Sequence, residues 1–160
     1  MKILKLPNIG YRNIKTGLAV LICLLIFPKS LFAPIAAIIS MQSTIEDSLE
    51  IGINRLIGTL IGGILGVIIL YIIEYANLYN YSFLIGALSV SLIIYLCNLI
   101  NKPAASSISS IVILAIIIDP VTDITPLAYS FIRTIETVVG VIIAIIINKY
   151  INPPNDINLE

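Results

Sequence analysis

The sequence predicts an all-α integral membrane protein, a helical bundle that crosses the bilayer about six times. Apolar residues make up 59% of the 160-residue chain and charged residues only 11%, against about 45–50% and about 25% in soluble domains. So little charge cannot cover a water-facing surface, which excludes a soluble globule and a disordered chain. Because one span takes about 20 apolar residues, we expect no separate soluble domain.

The charged and reactive residues exclude several classes of function. Nine basic residues balance nine acidic ones, so the chain has no cationic excess for nucleic acid. Histidine is absent, which removes histidine catalysis, histidine metal sites and histidine proton relays. Cys23 and Cys97 lie in apolar runs without metal-ligand spacing, and we interpret them as small hydrophobic residues. Phosphate-binding loops and nucleophile motifs are also missing, so we expect no enzyme activity, no metal and no cofactor.

Six apolar segments follow one another along the chain. The second is only about 11 residues long and carries Pro34 near its start, too short for a core of about 30 Å unless it is broken or tilted. Residues 44–53 place apolar and acidic side chains on opposite faces, which predicts an amphipathic helix at the membrane surface. We predict spans over residues 13–28, 31–42, 54–74, 83–100, 104–118 and 127–148.

These spans form one predicted membrane domain, residues 1–150, with turns at Asn77 and Asn101 and a polar tail over residues 151–160. Six spans place both termini on the same side, together with seven of the nine cationic residues; Lys29 and Arg133 fall on the other side. The positive-inside rule makes the first side cytoplasmic. We therefore expect a multi-pass protein of the inner (cytoplasmic) cell membrane with both termini in the cytoplasm.

A five-span alternative follows if the segments around Pro28 and Pro34 form one broken helix. The C-terminus then moves to the outer side.

Each of the three arginines is followed by threonine four residues later, a spacing that puts both side chains on one helix face. The pairs are Arg12/Thr16, Arg55/Thr59 and Arg133/Thr137. The last two pairs continue to Gly62 and Gly140 at an offset of 78 residues. Because each half would then hold three spans, a duplication predicts an inverted 3+3 repeat, a frequent transporter architecture. The alternative is that the arginines only snorkel to the membrane interface.

Glu136 is the one carboxylate inside a predicted span and away from its end. Such a group marks a pathway or a partner, and Arg133, three residues earlier, is its local partner. The pair is either a structural ion pair or a proton carrier and substrate gate. The candidate pathway residues are Arg55, Thr59, Arg133, Glu136 and Thr137. We expect each arginine near a helix N-terminus, Arg55 at the cytoplasmic side and Arg133 at the outer side, so that one anion site is offered to each side in turn.

Small residues form two stripes that predict close helix packing. Gly58, Gly62 and Gly66 make two successive GxxxG steps, with Gly63 alongside, and Gly140 with Ala144 forms a similar stripe in the last span. The stripes serve either packing within the chain or assembly with a partner.

Four segments carry a family resemblance: IGYRNIKT (residues 9–16), PIAAIISMQSTIEDS (34–48), NRLIGTLIGG (54–63) and RTIETVVG (133–140). Together they resemble the membrane module of the aromatic acid exporter family, which is related to the fusaric acid resistance transporters. The resemblance covers about residues 8–150, and the third segment is its most specific part.

The resemblance implies a six-span inner-membrane module for efflux of aromatic carboxylic acids, with a proton gradient as the energy source. Many members of the family continue into a cytosolic helical domain or carry a second membrane half. We expect three kinds of partner. The first two are the lipid bilayer and a small organic anion, and the third is a second membrane chain, either another copy of this protein or a different protein. The alternative is a non-transporting module that stabilises or assembles a partner through its glycine-rich helix faces.

Overall fold

The computed structural model describes residues 11–118 and 125–151, and it confirms the all-α prediction for them. They contain six α-helices and two single-turn 3₁₀ helices, which precede α4 and α5. The helices are α1 (Tyr11–Ile26), α2 (Phe32–Ser40), α3 (Ile45–Tyr75), α4 (Ser82–Leu99), α5 (Ser106–Ile118) and α6 (Pro126–Tyr150).

Three helical segments are long and apolar enough to cross a membrane: Ile45–Tyr75, Tyr79–Leu99 and Pro126–Tyr150. The segment Pro103–Ile118 is apolar but shorter. Helix α2 has nine residues and is only about 14 Å long at 1.5 Å per residue. The number of helices therefore equals the predicted number of spans, while a crossing by all six stays a prediction.

Helix α3 joins the predicted amphipathic segment and the predicted third span into one element. It begins after Thr44, whose Oγ1 accepts a hydrogen bond from the Asp47 amide at 3.0 Å, and two acidic residues in its first turn complement the helix dipole. Its 31 residues extend over about 46 Å, longer than the bilayer core. No proline lies between Ile45 and Tyr75, so nothing ends the helix where the composition changes.

Asparagine ends two of the helices, as the sequence predicted for these turns. Asn77 and Asn101 follow α3 and α4 with φ of 54° and 56°. Asparagine tolerates this left-handed conformation better than most other residues with a side chain. The Leu78 amide then bonds the Ile73 carbonyl at 2.9 Å, which closes the helix end.

Helices α3 and α6 pack against each other at the centre of the bundle. Helix α5 packs on α3, and α4 packs on α5; helix α2 packs on α6, and α1 packs on α2 and α6. The packing of α5 on α3 thus resembles that of α2 on α6, whereas α1 also contacts α6 and α4 has no comparable contact with α3 in the described part of the chain.

The predicted glycine stripe of α3 is used within the chain. Gly58, Gly62 and Gly66 lie against α5, and a Cβ at Gly62 would stand 2.5 Å from the Ser109 carbonyl oxygen. Gly63 lies on a different face and contacts Ser130 of α6. Glycine therefore lets α3 approach α5 and α6 more closely than alanine would allow.

The stripe of α6 has the same use against α2. A Cβ at Gly140 would overlap the Ala33 carbonyl oxygen, and Ala144 is fully buried in a cluster that contains Ala33 and Cys23. Cys23 and Cys97 are free and buried, consistent with their interpretation as small hydrophobic residues. The loop 119–124 and the tail beyond Ile151 lie outside the described residues.

Candidate functional site

Arg55 is a buried cation without a counter-ion among the described residues. Its side chain is 6% exposed, and its Nε and Nη1 atoms have no hydrogen-bond partner. Thr59, one turn later, donates its hydroxyl to the Arg55 carbonyl at 2.9 Å. A buried charge is costly unless it is paired, so this guanidinium has the property expected of an anion-binding group.

Arg133 is the partner of Glu136, as the sequence suggested. Its Nη1 lies 2.7 Å from Oε2 of Glu136 and also donates to the Ser30 hydroxyl at 3.3 Å. The guanidinium carbon lies 3.7 Å from the ring centroid of Phe32 and 4.5 Å from that of Tyr129, close enough for cation–π attraction on both rings. The arginine is therefore held by one charge, one hydroxyl and two rings.

The two Arg/Thr pairs line one enclosed cavity. Arg55 and Thr59 enter it from α3, and Arg133 and Thr137 enter it from α6. Its volume is about 120 Å³, and the other lining residues are apolar: Phe32, Ile35, Ile39, Ile108, Ile111 and Val112. An apolar cavity of about 150 Å³ in another protein binds benzene. The space is therefore of the size that one ring or a short apolar chain occupies.

A second, open pocket lies on the other side of Arg133. This vestibule has a volume of about 460 Å³. It is lined by residues 26–30, which begin at the last residue of α1, and by Arg133 and Glu136. Arg133 thus borders both the enclosed cavity and the vestibule. The Arg133–Glu136 pair stands between the space that holds Arg55 and the surface of the bundle.

The two arginines that line the cavity and the glutamate that pairs with one of them have a net charge of one positive unit. Arg55 and Arg133 carry two, and Glu136 neutralises one. The site therefore suits a single anionic group on an apolar body. No group of three or more metal-ligating side chains occurs in residues 11–118 and 125–151.

The structure corrects the expectation that Arg55 and Arg133 each lie near a helix N-terminus. Arg55 is ten residues beyond the start of α3 at Ile45, and Arg133 is seven residues beyond Pro126. The dipole effect fades within the first turn, so neither guanidinium relies on it. The two arginines instead share one cavity, because α3 and α6 pack against each other.

The third pair, Arg12 and Thr16, does not take part in the site. The Thr16 hydroxyl donates to the Arg12 carbonyl at 2.8 Å, but the bond lies at the surface. Sequence reasoning also missed Ser30, Phe32 and Tyr129. These residues reach Arg133 only through the packing of α2 and its preceding turn on α6, and no spacing along the chain marks them.

Comparison with known proteins identifies the family of the chain. Residues 7–151 match the family described as aromatic acid exporter family member 1, a family of membrane exporters rather than enzymes. Neither a curated protein nor a solved structure matches the chain. Since the family match covers most of the sequence, the chain is a membrane protein that belongs to the aromatic acid exporter family.

Proposed function

We propose that this protein exports small organic monoanions, and that Arg55 binds their carboxylate in the enclosed cavity. The observation that carries the proposal is the unpaired guanidinium of Arg55, buried in a cavity whose lining is otherwise mostly apolar. Arginine suits a carboxylate because its planar fork bonds both oxygens. The apolar lining suits the ring of an aromatic acid, which the family description supports.

Glu136 acts in this proposal as the proton-sensitive part of a gate. Its carboxylate and the substrate carboxylate compete for Arg133, which borders both cavity and vestibule. A proton that enters from the vestibule neutralises Glu136 and frees Arg133 to draw the anion away from Arg55. The anion leaves through the vestibule, and release of the proton to the cytoplasmic side returns Arg133 to Glu136, so that one proton moves inward for each anion that moves outward. Lys29 is the other charged residue of the vestibule.

We further propose that the two halves of the chain form an inverted repeat, which suits this use of two arginines. The α2–α6 contact corresponds to the α5–α3 contact if residues are shifted by half of the chain. Gly62 and Gly140 correspond at the offset of 78 residues, and each lies against the backbone of the helix that packs on its own, α5 for Gly62 and α2 for Gly140. We propose that the two halves move relative to each other around the cavity, as inverted-repeat transporters do.

We further propose that the protein lies in the inner membrane with both termini in the cytoplasm, because that orientation places most cationic residues inside. The turn at Asn77 then faces outward and the turn at Asn101 faces the cytoplasm. A membrane-impermeant maleimide applied to intact cells should label a cysteine introduced by Asn77→Cys but not one introduced by Asn101→Cys. The reverse pattern would contradict the orientation.

The alternative, a module that assembles a partner through its glycine faces, has less support. The glycines at 58, 62, 63, 66 and 140 all face neighbouring helices of the same chain. A second copy or a partner chain would have to bind elsewhere, and a homo-oligomer stays a prediction.

The test of the proposed function is carboxylate transport by the purified protein in liposomes. We expect saturable, proton-gradient-driven transport of benzoate and none of benzamide, which has the same shape without the charge. Arg55→Lys should weaken benzoate binding about tenfold, since a lost charge-assisted hydrogen bond costs about 1.5 kcal/mol. The matched control is Arg12→Lys at the exposed arginine. Equal affinity in both variants would refute the role of Arg55.

A further inference from the structure

Lys15 is a second buried cation, and the proposed transport cycle does not yet use it. Its side chain is 7% exposed. The ammonium donates to Oδ1 of Asn148 at 3.1 Å and to the Asn148 carbonyl at 3.4 Å, so amide oxygens take the place of a carboxylate. A buried ammonium group has lost hydration that it would have in water, and this loss is costly for a charged group.

Asn148 connects this lysine to the turn between α2 and α3. Its Nδ2 lies 3.1 Å from the Gln42 carbonyl, 2.9 Å from the Thr44 carbonyl and 2.8 Å from the Ser48 hydroxyl. An amide group has two hydrogens for these three acceptors. The Ser48 hydroxyl also accepts from the Gln42 amide at 3.1 Å. The network of Lys15, Gln42, Thr44, Ser48 and Asn148 thus joins α1, the turn and α6.

The hydrogen-bond network lies beyond the cavity, toward the N-terminal end of α3. Ser48, Gly52 and Arg55 follow one another along the buried face of α3. Between the network and Arg55, Gly52 is in close contact with Cγ1 of Val141 on α6. Packed backbone and side chain at Gly52 and Val141 thus lie between the cavity and the network, while Arg133 borders the vestibule.

We propose that the Lys15 network is a latch that keeps the cavity closed at the N-terminal end of α3 and breaks when the cavity opens there. This inference rests on the proposed function and adds a second gate opposite Glu136. Polar bonds suit a latch because water can replace them at little net cost. Each bond stabilises the closed state by only about 1 kcal/mol net, which is about fivefold in population, so the two states stay close in free energy.

The test uses a reporter cysteine in the cavity, Thr59→Cys, and a small membrane-impermeant thiol reagent applied from the side of Lys15. In the reporter background, Lys15→Met should speed labelling about fivefold, the population shift that one lost hydrogen bond produces. The matched control is Arg12→Met, which removes an exposed cation from the same helix and should leave the labelling rate unchanged. Protein without the reporter gives the background from Cys23 and Cys97, which are buried.

Ser48→Ala provides a second variant that removes only one hydroxyl from the latch, and it should speed labelling in the same direction. Unchanged labelling in both folded variants, or an equal increase with Arg12→Met, would overturn the latch. Labelling does not require transport. Faster labelling with no benzoate transport by the wild-type protein would therefore refute the proposed function and leave the latch standing.

Discussion

Replacing Gly62 with leucine is expected to leave almost no correctly folded protein in the membrane. Even the first carbon of a side chain would stand 2.5 Å from the carbonyl oxygen and 2.9 Å from the Cα of Ser109. These are backbone atoms, so α3 and α5 must separate. A few extra atoms in a packed contact lower the free energy of unfolding by about 1–3 kcal/mol. Because leucine adds more atoms than alanine, its effect at this contact is larger.

The measurement is the yield of monodisperse protein in detergent and its thermal unfolding midpoint. Gly62→Ala should lower the midpoint, and Gly62→Leu should remove the monodisperse peak. Gly17→Leu is the matched control because a Cβ at Gly17 has nothing within 4 Å. A Gly62→Leu protein with wild-type yield and midpoint would show that the α3–α5 contact does not depend on glycine.

The helical architecture was predictable where local chemistry decides it. Asn77 and Asn101 end helices because asparagine accepts positive φ, and both turns were predicted. The amphipathic segment and the apolar run share one uninterrupted helix from Ile45 to Tyr75, and the residue at which the third span begins on it stays a prediction. A change of composition marks where a helix meets a different environment, but only a cap or a helix breaker ends it.

The site was predictable as far as helical periodicity carries it. The spacing of Arg55 and Thr59 and its repetition after 78 residues singled out four side chains that line the enclosed cavity. That both arginines share one cavity depends on the α3–α6 contact, which no spacing within a single helix reveals. The partners of Lys15 were hidden for the same reason, since Asn148 is 133 residues away in sequence.

The two halves differ at one position that decides which arginine is free. If the halves correspond at an offset of 78 residues, the equivalent of Glu136 is Gly58, since 136 minus 78 is 58. Arg133 therefore carries a counter-ion on its own helix, and Arg55 has glycine three residues later. A carboxylate at Gly58 is also sterically excluded, because a Cβ there would stand 2.7 Å from the Ala105 carbonyl oxygen. The sequence difference therefore leaves Arg55 as the arginine of the cavity without a counter-ion among the described residues.

Glu136→Gln is expected to abolish proton-driven export while anion binding becomes tighter. The change leaves Arg133 without its 2.7 Å ion pair, and breaking a buried pair costs about 3–5 kcal/mol. A bound carboxylate can replace the lost charge, so benzoate should raise the thermal midpoint of this variant more than that of the wild type. The glutamine side chain neither takes up nor releases a proton, so it does not draw Arg133 away from the bound anion. The proton gradient then no longer drives release of the anion.

The double variant Arg133→Gln with Glu136→Gln separates a gate from a structural ion pair. Neutralising both residues removes the pair without leaving an unpaired charge, so a purely structural pair should be dispensable. Under the gate proposal, the double variant folds and still binds benzoate at Arg55, which keeps its place in the cavity. Its export should nevertheless not respond to a proton gradient across the liposome membrane. Normal gradient-driven export by this variant would refute the gate, because no residue would be left to exchange a proton for the release of the anion.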